Sequence, residues 1–144
     1  PENALAEAKR VLKPGGRFVA ELGGAGNVQT IRTALRVAVA ARGVDPDSAY
    51  PWYFPTPESY RAKLESYGFS VAHMELIPRP TPLPGDIDGW LASFGDSFLM
   101  RLDIAQRDEA ISQIRDSLRP MLVNEDGIWV ADYVRLRFAA TVPV

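Results

Sequence analysis

Apolar residues recur at helical spacing from the start of the chain. Leu5, Ala8 and Leu12, with Val11 alongside, predict a helix over residues 2–12. Lys13-Pro14-Gly15-Gly16 ends it, with a basic last turn followed by residues that cannot continue the periodicity. Residues 17–22 (Arg-Phe-Val-Ala-Glu-Leu) read as a short strand. Gly23-Gly24-Ala25-Gly26 is a tight turn into a second helix over 27–42, striped by Val28, Ile31, Leu35, Ala38 and Val39 and stopped by Gly43. A loop rich in proline and aromatic residues covers 44–55. Thr56 then caps a helix with Pro57 at its first position and Glu58 in its first turn. Tyr60, Leu64 and Tyr67 face inward, and Gly68 closes it. Residues 69–77 alternate as a strand: Phe69, Val71, His73, Glu75 and Ile77 on one face, Ser70, Ala72, Met74 and Leu76 on the other.

The run Arg79-Pro80-Thr81-Pro82-Leu83-Pro84-Gly85 predicts a rigid extended connector, because proline removes donors and fixes the backbone. A helix over 87–102 carries Trp90, Leu91, Phe94, Phe98 and Leu102. Another over 106–119 carries Ile111, Ile114 and Leu118 and is bent or ended by Pro120. Asn124-Glu125-Asp126-Gly127 is a turn. Residues 128–141 form a long strand in which Val130, Val134, Leu136 and Phe138 alternate with Tyr133, Arg135 and Arg137. The order helix, strand, helix, helix, strand, helices, strand suits an open α/β sheet with helices packed on it, organised as a single domain. Three strands make a thin sheet, with a long edge and an uncovered apolar face unless something else pairs with it.

Composition narrows the function classes. The 144 residues are 47% apolar and 24% charged, ordinary values for a folded globular chain, and the net charge of -2 is scattered along it. No basic block predicts a nucleic-acid surface. The absence of cysteine excludes disulfides and thiolate metal sites, and His73 as the sole histidine excludes a multi-histidine metal site. No apolar run reaches the ~18 residues of a membrane span, and residues 1–10 lack the apolar core of a signal peptide. No membrane partner is therefore expected, and the cytoplasm is the default location. The chain opens directly into an amphipathic segment with no preceding strand, as expected of a domain whose upstream part is missing.

Several segments resemble a known family. Val11 to Glu21 (VLKPGGRFVAE) resembles the late helix, turn and fifth strand of class I S-adenosylmethionine-dependent methyltransferases. Gly68-Phe69-Ser70-Val71 resembles the entry to the sixth strand, and residues 129–140 resemble the seventh, which in that fold inserts antiparallel between the fifth and sixth. Glu21 to Asn27 (ELGGAGN), Pro51 to Pro55 (PWYFP) and Arg79 to Leu83 (RPTPL) together resemble the trans-aconitate methyltransferase-like branch. The resemblance implies a partial Rossmann-like sheet of fifth, sixth and seventh strands with packed and lid helices. It also implies methyl transfer in the intact protein to a small organic acceptor, a carboxylate among the options. In this family the donor lies over the first four strands, and no segment here matches them. The chain is thus expected to supply acceptor-side wall and lid, to be inactive alone and to bind no S-adenosylmethionine by itself. The rival expectation is a catalytically silent domain that forms homodimers through its exposed sheet edge.

Each candidate residue has two readings. Gly23 to Gly26 lies where phosphate-cradling turns occur, but Gln29 breaks a G-x-G-x-x-G pattern begun at Gly24, and no P-loop lysine follows. The glycines more simply turn the chain beside a substrate cavity. Asn27 either caps the following helix or faces substrate. Trp52, Tyr53 and Phe54 either anchor their loop or wall the acceptor pocket that the resemblance implies. Arg79 either grips a substrate carboxylate or pairs with Asp86, Asp88 or loop carbonyls. Trp90, with Phe94 and Phe98 at helical spacing, reads as core, or as part of the active-site cover that the resemblance implies. His73 reads as structural or exposed rather than as a base. Asp132 interrupts an apolar face and is expected to pair with a basic neighbour.

Overall fold

The computed structural model describes residues 2–144, and Pro1 lies outside them. The elements are α1 (Glu2–Val11), β1 (Arg17–Gly23), α2 (Gln29–Ala40), α3 (Pro57–Ser66), β2 (Ser70–Pro82), α4 (Ile87–Phe94), α5 (Asp96–Leu99), α6 (Ile104–Leu122) and β3 (Val130–Thr141). They divide into two compact units. The first comprises the chain through Asn27, Tyr53–Arg79 and Val134–Val144; the second comprises Val28–Trp52 and Pro80–Tyr133. Among the described residues no helix is long and apolar enough to cross a membrane.

The sheet has the order β1-β3-β2, so the last strand lies between the first two. β3 runs antiparallel to β1, with Phe18 opposite Ala140, Ala20 opposite Phe138 and Leu22 opposite Leu136. A core in the first unit gathers Leu5 of α1, Tyr60 and Leu64 of α3, Phe69, and Leu136, Phe138 and Ala140 of β3. Phe18 meets Phe138 edge-on at 5.1 Å. Strict alternation puts Val71 and Met74 on opposite faces, yet both pack against this core. The predicted faces of the strand therefore change over within β2.

Local chemistry explains the ends of α3. Thr56 accepts the Ser59 N–H at 3.2 Å, Pro57 supplies a preset φ at the first position, and Gly68 takes the left-handed conformation (φ 83°) that follows the helix. In the second unit α2 packs on α5 and α6, and α4 on α5 and α6. The predicted stripe of α2, from Val28 to Val39, is buried.

Three predicted boundaries move. The helix expected over 87–102 is two helices parted at Gly95, where the Leu91 carbonyl lies 2.8 Å from any Cβ placed there. Phe94, expected in the core, is 53% exposed. α6 begins at Ile104 with Asp103 as its cap and continues past Pro120, which forgoes one bond, to the Asp116 carbonyl, without ending the helix. The proline run is strand as far as Pro82, the end of β2, and only its residues 83–85 lie in the connection to α4. Leu83 donates its N–H to Trp129 O at 2.8 Å. The alternate residues Pro78, Pro80 and Pro82 therefore put their nitrogens on the outer side, and β2 is an edge strand.

Candidate functional site

Two groups of the sequence-selected residues form, one in each unit. In the first unit the chain turns at Gly23 to Gly26 against tightly packed neighbours. A Cβ on Gly23 would lie 2.6 Å from Phe54 and 3.0 Å from Asn27 Nδ2. One on Gly24 would lie 2.5 Å from Leu76 and 3.0 Å from Leu136 Cβ. These two glycines are required by close packing; Gly26 (φ 86°) makes the turn.

Asn27 is 4% exposed and caps nothing: its Oδ1 accepts the Val134 N–H at 2.8 Å. This fixes the turn to the start of the β3 segment that enters the core. Phe54 and Asn27 thus meet around Gly23, whereas Tyr53 stands apart, its ring under Lys63 Nζ at 4.9 Å. Arg79 has an acidic partner other than the expected Asp86 or Asp88. Its guanidinium reaches Glu21 at 2.6 Å, and Arg137 approaches the same Oε1 at 3.5 Å. The sheet order decides this: Glu21 of β1 is in register with Arg137 of β3, beyond which lies β2. The sheet face expected to be apolar therefore carries a charge ladder beside exposed Val19. His73 pairs with Glu75 at 3.0 Å on the surface.

In the second unit Trp52 and Trp90 come together, with ring centroids 6.1 Å apart. Phe98 lies 5.6 Å from Trp52, and Phe94 5.3 Å from Trp90. Trp90 Nε1 donates to Tyr133 Oη at 2.9 Å. Trp90, Phe94 and Tyr133 wall a cavity of about 440 Å³ that also reaches Asp86, Gly89 and Ser93. This volume falls within the range of small-molecule pockets. Tyr133 is the residue the sequence did not single out, since only the fold brings it beside Trp90, 43 positions earlier.

Among the described residues Asp132 takes no basic partner. Its Oδ2 accepts the Thr30 N–H at 2.9 Å, and its carbonyl accepts the Val28 N–H at 2.9 Å. The carboxylate therefore caps α2 from a distant strand, the role proposed for Asn27. Val28 is held left-handed (φ 44°), a strained conformation for a β-branched residue. Arg115 instead pairs with Asp88, Nε to Oδ1 at 2.9 Å, and this hydrogen bond raises the guanidinium pKa further above its ordinary range.

The fold defines a class first: mixed α/β with a small antiparallel sheet, a partial Rossmann-like methyltransferase arrangement. It matches a candidate methyltransferase from Bacillus halodurans C-125 over 100% of this chain and 63% of that one, with TM-score 0.54 and 15% identity. The YcgJ protein of Bacillus subtilis aligns over 99% of this chain and 58% of that one, with TM-score 0.49 and 13% identity. In sequence, the chain is homologous to an uncharacterized methyltransferase of Schizosaccharomyces pombe. The two are 36% identical over 142 aligned residues, 91% of this chain and 51% of the relative. The chain thus spans about half the length of that curated relative. No family model matches.

Proposed function

We propose that the intact protein transfers a methyl group from S-adenosylmethionine to a small organic acceptor, with this chain supplying acceptor-side wall and lid. The observation that carries this reading is the homology to the fission-yeast methyltransferase. The strand order β1-β3-β2 agrees with it. Placement in the trans-aconitate methyltransferase-like branch rests on the segments Glu21–Asn27, Pro51–Pro55 and Arg79–Leu83. In the reaction the sulfur–methyl bond breaks as a bond to acceptor oxygen or nitrogen forms, and S-adenosylhomocysteine leaves. Holding two reactants in line can supply much of the acceleration.

The turn at Gly23 and Gly24 does not fit the donor, because side chains fill the space above both glycines. That closed turn supports a donor site supplied by residues outside this chain. Trp52 and Trp90 are the acceptor-wall candidates that stand together. A carboxylate acceptor would call on Arg79 and would have to draw it from Glu21. Calorimetric titration of this chain with S-adenosylmethionine should give no binding up to millimolar donor; micromolar binding would overturn the division of labour. Methyl-group transfer by the intact protein is read with labelled donor against carboxylate, amine and phenol acceptors. A folded, donor-binding protein that methylates none of them would count against the reading.

A second reading, self-association of a silent domain, is favoured by one feature. The outer edge of β1 is not blocked by proline, and Val19 there is 53% exposed. Light scattering should then show a dimer that Val19→Lys dissociates; a monomer at every concentration would end this reading.

A further inference from the structure

We propose that the cavity between Trp90, Phe94 and Tyr133 is a binding site for a small organic cation, its apolar part against the rings and its ammonium toward Asp86. The inference concerns binding alone and stands whether or not the ligand is methylated. The site lies wholly within the second unit.

Three observations converge on it. The first is the lining. Three aromatic side chains meet at one cavity, and Phe94 keeps half of its surface open although apolar neighbours are at hand. Aromatic faces attract cations, and several such faces around one space form the usual cage for an ammonium group.

The second is charge. Among the described residues, Asp86 is the one formally charged residue that lines the cavity. Its Oδ1 caps α4 by accepting the Asp88 N–H at 3.0 Å, and its other oxygen makes no hydrogen bond within the described residues. Nearby, the charges of Asp86, Asp88 and Asp116 all act on Arg115. Arg115 is ion-paired with Asp88, so that pair leaves the Asp86 charge unmatched. The roughly half-unit positive end of a helix dipole offsets only part of it. Among the described residues no cationic side chain lines the cavity, so an anionic ligand would find no charged partner there.

The third is Gly89. It lies inside α4, where glycine costs up to about 1 kcal/mol relative to alanine. Nothing lies within 4 Å of a Cβ placed on it, so packing does not require glycine there. Its missing side chain leaves open the space that the cavity occupies. The Tyr133 hydroxyl, which accepts from Trp90, still has its own proton to donate.

The test uses the full chain and three probes of similar shape: 2-phenylethylamine, 2-phenylethanol and 3-phenylpropionate. Binding is followed by the indole N–H resonance of Trp90, whose bond to Tyr133 makes it a local reporter. The amine should bind about fivefold tighter than the alcohol, and the carboxylate weakest, as expected of one partly exposed charge. Added salt should shrink the difference. Asp86→Asn should bring the amine and carboxylate to similar affinity. Gly89→Leu should abolish binding of all three while the thermal midpoint holds or rises. The proposal is overturned if the carboxylate binds as well as the amine, if Asp86→Asn leaves their ratio unchanged, or if Gly89→Leu still binds. It is equally overturned if the Trp90 signal stays fixed up to 10 mM (roughly the weakest affinity of interest) of every probe.

Discussion

Adding one methyl group at two glycines should have opposite effects on stability. At Gly24 the new Cβ would stand 2.5 Å from Leu76 Cδ2, 3.0 Å from Leu136 Cβ and 3.2 Å from Leu136 N. Carbon atoms prefer about 3.5–4.0 Å. The Leu76 methyl is the free end of a side chain and can swing away. Leu136 is fully buried in β3 and its backbone cannot. Such overpacking costs about 1–3 kcal/mol. Alanine also restricts the unfolded chain, which returns about 0.4–1 kcal/mol because Gly24 does not occupy a left-handed conformation. Gly24→Ala should therefore destabilise by about 1–2 kcal/mol, a drop in midpoint of roughly 3–6 °C for a chain of this size. At Gly89 no atom is within 4 Å, and the helix favours alanine by up to about 1 kcal/mol. Gly89→Ala should raise the midpoint. Thermal unfolding followed by tryptophan fluorescence measures both midpoints. Leu76→Ala should relieve Gly24→Ala in part, because the Leu136 contacts remain. If Gly24→Ala proved neutral or stabilising, or if both variants moved in the same direction, the packing account of the glycine turn would be wrong.

Asp132→Ala should cost about 1 kcal/mol by uncapping α2, and Asp132→Asn much less, since an amide oxygen can still accept the Thr30 N–H. Equal losses in urea unfolding would count against that cap. Tyr60 has its phenol pKa raised above 10.0, first by burial and then by the charge of Tyr53. The folded chain thus holds this proton where the unfolded chain has lost it, so the contribution is intact below about pH 10 and disappears as pH rises through the raised value. Tyr60→Phe should flatten the alkaline fall in stability, and absorbance titration should lose one phenol that ionises above pH 10. Asn27→Ala should leave the Val134 N–H without its acceptor and cost about 1–3 kcal/mol. A midpoint unchanged by this substitution would remove the turn-fixing role assigned to Asn27.

What the sequence determined was local. The stripe of α2, the Thr56 cap with Pro57, the left-handed Gly68 and the turn at Gly127 follow from the periods and φ preferences of a few adjacent residues. The family resemblance carried the strand order. Long-range partners lay beyond that reach. Arg79 reaches Glu21 because the sheet puts β3 between their strands, and Asp132 caps α2 from 102 residues away. The proline run becomes strand because β2 has an outer side that needs no donors. Trp90 gains Tyr133 as a cavity partner only once α4 and β3 meet. Each of these depends on which groups the folded chain brings within a few ångströms. Hydrogen bonding and packing act at that range, whatever the distance along the sequence.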